Sequence, residues 1–250
     1  MPFAIDRNCF VFVCAAAFAA PATGQNTPAA PAISRTVLSA TKLLTVVDVP
    51  IYFRAVTVTI PSEASSSVST NDGILYQLSG STEVSIGNDR KILKTGEALY
   101  IANGSAAALK AEGSASSTFL HFVLASAADV DKPLEAAPAV VHELYRTVAP
   151  LPALSSGRYD LNLSRVTFPA QMPSNPPHHR SGAALYYILS GTGANTVEGM
   201  SQNRKAGDLI YEPFGVVHQW GNPGEVPLVF LAFNINPEGA AAVVPDAPTK

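Results

Sequence analysis

Gly207 to Asn222 reads GDLIYEPFGVVHQWGN, and 111 positions earlier Gly96 to Ala111 reads GEALYIANGSAAALKA. Each opens on glycine, holds tyrosine in the same place (Tyr211, Tyr100) and reaches a second glycine at Gly215 or Gly104. Both are short apolar runs closed by a glycine turn, which is strand–turn grammar. Only the later copy puts Pro213 in the turn, His218 just past it and Asn222 beyond. The earlier copy has Ala102, Ala107 and Ala111 at those positions.

The same offset holds across most of the chain. Arg54 falls on Arg165, Tyr76 on Tyr187, Leu78–Gly80 on Leu189–Gly191 and Lys94 on Lys205. Gly113 meets Gly224, and Phe119–Leu120 meets Phe230–Leu231. So many glycines and aromatics in step identify a tandem duplication. Each unit reads as strands: RAVTVTI and RVTF alternate with β-branched residues, ILYQLSG and LYYILSG close on glycine, and STFLHFVL and LVFLAFNI end the units. With 20 prolines and 17 glycines punctuating a 47% hydrophobic chain, this is an all-β sandwich or barrel rather than a series of βαβ units.

Outside the repeat, MPFAIDRN precedes the apolar run CFVFVCAAAFAA and the small-residue sites Ala17–Ala19 and Ala20–Ala22. That is the layout of a secretory signal peptide, expected over residues 1–22, and it implies a secreted or periplasmic protein with no membrane attachment after cleavage. Cys9 and Cys14 lie within it, leaving no thiol or disulfide to the mature chain. A Pro/Ala-rich flexible leader is expected over 23–40, an N-terminal barrel over 41–130 and a connecting segment over 131–158. A C-terminal barrel over 159–237 and a flexible tail over 238–250 complete the expectation. AVVHELYRT in the connection reads as a strand pairing with the neighbouring unit. A net charge of -3 without basic runs excludes an electrostatic case for nucleic acid or anionic membranes.

Gly207, Pro213, Gly215, His218 and Asn222 fit G-x5-P-x-G-x2-H-x3-N, and on them the sequence resembles the second motif of the cupin superfamily. HHRSGAALYYILSG, His178 to Gly191, resembles the first motif: H-x-H, three or four residues, Glu, six residues, Gly. The resemblance spans about Thr45 to Pro237 and implies a bicupin, a tandem pair of cupin (jelly-roll) β-barrels. The family holds metal-dependent dioxygenases, decarboxylases, isomerases and aminohydrolases beside storage and sensory proteins, so the fold does not name a function. Pairing into a homo-oligomer is compatible with it.

The resemblance also implies a divalent transition metal (Fe, Mn, Ni, Zn or Cu) held by two histidines and a glutamate of the first motif and one histidine of the second. Counting back from Gly191, the glutamate position is Ala184. A four-residue spacing then makes His179 the second histidine and Pro177 the first; a three-residue spacing makes them Arg180 and His178. His179 is expected to face His218. Neighbours on a strand point to opposite faces, so His178 joins them as a third ligand only through irregular backbone after Pro176–Pro177. The alternative is a ligand-binding or vestigial site without metal. Tyr187, Phe214 and Trp220 are candidate pocket walls, Arg180 a residue at the mouth that attracts an anion, and Glu212 the nearest acid for proton transfer. In the first unit the motif positions become Ser66, Ser67, Val68, Gly73 and Ala107, so no ligand remains there; His121 and His142 fall outside the motif. A small-molecule ligand or substrate is the expected partner, with no catalytic residue assigned.

Overall fold

The computed structural model describes residues 32–46, 50–68, 71–151 and 156–246. The expected signal peptide, residues 1–22, lies outside them. After a lead strand β1 (Ser34–Val46), the first barrel is built from β2 (Ile51–Ile60), β3 (Ser65–Val68), β4 (Asp72–Ser79), β5 (Ser81–Ile86), β6 (Asp89–Lys94), β7 (Ala98–Ile101), β8 (Ala107–Ala111) and β9 (Ser117–Ser126). A second lead strand, β10 (Val140–Arg146), precedes the other barrel. That barrel comprises β11 (Gly157–Phe168), β12 (His178–Arg180), β13 (Ala183–Ser190), β14 (Thr192–Val197), β15 (Met200–Lys205), β16 (Leu209–Glu212), β17 (His218–Gly221) and β18 (Leu228–Pro237). A short β19 (Val243–Pro245) follows. The described residues contain no helix. The fold is all-β, a tandem of jelly-roll barrels, and the duplication is visible strand by strand: adding 111 to the bounds of β4, β5, β6, β7 and β9 gives β13, β14, β15, β16 and β18.

Each barrel is a five-stranded sheet facing a second sheet. The first is ordered β10-β2-β9-β4-β7 against β3-β8-β5-β6, and the second β1-β11-β18-β13-β16 against β15-β14-β17-β12-β19. Side chains alternate along a strand, so each five-stranded sheet sends one set into its barrel and the other towards the neighbouring barrel. On β2, Val56, Val58 and Ile60 enter the first barrel, while Phe53 and Ala55 enter the core shared by both. Phe233 of β18 is the hub of that shared core, 5.4 Å from Phe53 and 5.5 Å from Phe122 between ring centroids. Burial on both faces is why STFLHFVL and LVFLAFNI are continuously apolar rather than alternating.

The lead strands are exchanged. β1 pairs antiparallel with β11, from Ser34↔Thr167 to Val46↔Gly157, and so completes the sheet of the second barrel. β10 pairs with β2, from Val140↔Thr59 to Arg146↔Arg54, and completes the first. Two expectations are corrected here. Residues 34–40, assigned to a flexible leader, are strand, because their backbone pairs with β11 and so satisfies an otherwise open sheet edge. The tail from 238 is not loose throughout: β19 pairs with β12, and the Asp246 amide donates to the Pro177 carbonyl.

The interior of the first barrel is closed by its own side chains. His121 and Glu135 are both fully buried, with His121 Nδ1 2.5 Å from Glu135 Oε1. His121 takes the place that Ala232 holds in the second barrel, and Gly73 gives it room. A Cβ at position 73 would come 2.6 Å from His121 Nε2 and 2.8 Å from the Phe122 carbonyl oxygen. Gly73→Ala is therefore expected to lower the urea unfolding midpoint, by an overpacking cost of about 1–3 kcal/mol.

Candidate functional site

The second motif is a turn with a bolt behind it. Gly215 lies at φ 74°, where a side chain is disfavoured, and the turn it makes ends at His218. Asn222 is completely buried. Its Nδ2 donates to the carbonyls of Phe168, Pro169 and Val226, and its Oδ1 accepts from the Gly224 amide, so this motif position anchors loops.

On β12 the burial alternates: His178 and Arg180 are buried and His179 is not. The strand is regular, so alternation selects the three-residue spacing, in which Arg180 occupies the second-histidine position. His178, not His179, faces His218; the two are cross-strand partners with ring centroids 4.4 Å apart. His179 points to the other side, with Nδ1 3.7 Å from Asp246 Oδ1. The expected His179–His218 pairing is thus reversed, and no bulge is needed to bring His178 inward.

Ala184, at the glutamate position, is paired directly with Glu212 on β16. A carboxylate therefore enters the same region from the adjacent strand. Glu212 is buried and fully engaged: Oε1 accepts from Trp220 Nε1 at 2.6 Å, and Oε2 accepts from Arg180 Nε at 2.9 Å and lies 3.0 Å from His218 Nε2. Arg180 also lies over the Tyr186 ring, 5.1 Å from its centroid. It is buried in the site, not displayed at the mouth as expected. From Glu212 a polar ladder runs across the sheet through Arg180 and Asn234 to Asn162, and ends at Arg35 of the exchanged strand β1.

Beside this ladder lies a cavity of about 180 Å³. Its apolar walls include Phe168, Tyr186, Trp220 and Phe230, and its polar groups are Arg35, Asn175, His178 and Arg180. Trp220 lines it as expected. Tyr187 does not: it sits one residue out of phase and packs into the core between the barrels, while Tyr186 stacks on Phe230 at 4.7 Å. Phe214 is exposed on the turn before His218. Arg35, Tyr186, Asn175 and Asn234 escaped the sequence reading. Asn234 and Glu212 carried a usable signal, because at the same offset the first unit has apolar Val123 and Ile101.

Two imidazoles and a carboxylate in one site invite a metal ion, and the donor set does not fit one. Both carboxylate oxygens of Glu212 already accept hydrogen bonds, and the guanidinium in contact with it repels a second cation. Among the described residues no group of three or more His, Cys, Asp and Glu side chains is arranged to hold a metal. What the arrangement supplies is a fixed ion pair beside a neutral imidazole. Burial, ahead of all other influences, holds His178 below its usual value, and Nδ1 is engaged with the Pro176 carbonyl, which leaves a lone pair on Nε2.

The sequence over residues 164–234 matches the family model described as Cupin domain. A comparison with curated protein sequences returns no match. Among solved structures, Bacillus subtilis oxalate decarboxylase is similar to the chain at TM-score 0.55 and 16% identity, over 79% of this chain and 71% of that one. A second structure of that enzyme, described for its Mn(II) centres, gives 0.52 and 17% over 84% and 78%. Salicylate 1,2-dioxygenase from Pseudoaminobacter salicylatoxidans gives 0.50 and 10% over 75% of each. At these identities the likeness is one of fold.

Two outcomes follow for the ion pair. Arg180→Met leaves Glu212 buried without its cation and is expected to cost about 3–5 kcal/mol in urea unfolding. Burial pushes the Glu212 carboxyl up, but the Arg180 charge and the contacts from His218 and Trp220 outweigh it and lower the group from 4.5 to about 2. The stabilisation is then complete above pH 4.5 and is lost as the pH falls towards 2, with a slope of up to ~1.4 kcal/mol per pH unit. Glu212→Gln should remove that slope from the pH dependence of unfolding.

Proposed function

We propose that this protein is a bicupin that binds a small organic molecule in its C-terminal barrel without a resident metal ion. The observation that carries this reading is the Arg180–Glu212 ion pair, which places a built-in cation at the second-histidine position and uses the nearby carboxylate to neutralise it. The remaining cavity is largely apolar, enclosed by aromatic residues and lined by a few convergent polar groups, which is the usual composition of a small-molecule site. The site is specific to this barrel; its counterpart in the first barrel is occupied by His121 and Glu135.

A second reading, a divalent metal supporting oxygenase- or isomerase-like chemistry, is favoured by the histidine pair. His178 engages the Pro176 carbonyl through Nδ1, so its neutral ring offers Nε2 to a ligand, while His218 engages the Val216 carbonyl through Nδ1 and turns Nε2 to Glu212 Oε2 at 3.0 Å. Against it stand the engaged carboxylate and the adjacent guanidinium. We also propose export, which rests on the signal-peptide layout of residues 1–22 and would put the binding function in a secreted or periplasmic setting.

Elemental analysis separates the two readings of the site. After exposure to Mn(II), Fe(II), Ni(II), Zn(II) or Cu(II) and removal of free ions, the purified protein is expected to retain far less than one ion per chain. Near-stoichiometric metal that is lost in His218→Ala would establish the metal-dependent reading in its place.

A further inference from the structure

The charges around the cavity do not balance, and the imbalance sits at one residue. Arg180 is neutralised by Glu212. Arg35 has no carboxylate partner among the described residues. Its hydrogen bond is a long one, 3.5 Å to Asn162 Oδ1, an oxygen that already accepts from Asn234 Nδ2 at 2.9 Å and Ser164 Oγ at 3.0 Å. Among the described residues most of the five N–H donors of this guanidinium are therefore uncommitted. Arg35 lines the cavity from an exposed position on β1, with the aromatic walls below it.

The walls define the rest of the ligand. Tyr186, Trp220 and Phe230 form one aromatic cluster, with centroid separations of 4.7, 5.4 and 5.7 Å. Planar rings pack favourably on such a surface. A dry cavity of about 150 Å³ accommodates benzene, so about 180 Å³ admits one six-membered ring and a small substituent.

On the reading that this barrel binds a small molecule, we propose that its ligand is an organic acid built on a single six-membered ring, with the carboxylate held by Arg35 and the ring against Tyr186, Trp220 and Phe230. His178 Nε2 then offers a hydrogen-bond acceptor to a donor group on the ring. The lead strand of the first unit thereby supplies the residue that selects the ligand of the second.

Calorimetric titration and thermal shift on the full mature chain test this with benzoate, benzamide and hexanoate as probes. Benzoate is expected to bind and to raise the melting temperature with concentration. Benzamide, without the charge, and hexanoate, without the ring, are expected to bind about tenfold more weakly or worse, and Arg35→Gln should weaken benzoate by about tenfold while leaving benzamide unchanged. Arg35 lies outside the core, so the variant folds, and its melting temperature without ligand provides the check. Equal binding of benzamide and benzoate, or of benzoate to wild type and Arg35→Gln, overturns the carboxylate assignment and leaves a binding pocket in place. Equal binding of hexanoate overturns the ring. Absence of binding by every probe overturns both this inference and the binding reading beneath it.

Discussion

The inner strands of each five-stranded sheet, β9 and β18 above all, are buried on both faces, one set of side chains filling a barrel and the other filling the core between barrels. Much else in the molecule follows from that. A sheet covered on both sides needs apolar residues at nearly every position, and β9 and β18 have them. It also leaves a free edge, which is satisfied here by the lead strand of the other unit. The exchange ties the two barrels through backbone ladders as well as through Phe53, Phe122 and Phe233. It also delivers Arg35 to a cavity that its own unit does not enclose.

The two barrels show two ways of filling the same interior. In the first, His121 rises into the barrel beside Gly73 and is held by Glu135, and apolar Ile101 and Val123 stand where the other barrel has polar groups. In the second, alanines at 184 and 232 leave space, and Glu212 and Asn234 project into the same interior. A carboxylate buried to this degree needs compensation, because an isolated charge there is strongly disfavoured. Arg180 supplies it at 2.9 Å, and the Trp220 indole supplies a hydrogen bond at 2.6 Å. The consequence is a site whose charge at the centre is internally balanced by the Arg180–Glu212 pair.

The chain segments after the last strand of each unit are also related. Asp246 stands 111 positions after Glu135. Glu135 closes the first barrel onto His121, whereas the segment carrying Asp246 lies along β12 and contributes Val243 to the cavity wall. One inherited segment serves as a plug in one barrel and as a wall in the other, according to whether the residue opposite is His121 or Ala232.

The sequence by itself determined the duplication, the all-β class and the barrel type. These depend on features encoded locally: period-two patterns, glycines at turns and fixed spacings such as Gly215 to His218. It also narrowed the first motif to two registers. Only the tertiary structure decided between them, because the direction in which His178, His179 and Arg180 point depends on the pairing of β12 with β17 and β19, and a shift of one residue exchanges the two faces. Tyr187 and Tyr186 were confused for the same reason. Arg35 was not legible at all as a site residue: its role arises from a strand exchange between units more than a hundred residues apart, and no local pattern encodes which sheet edge a strand will complete.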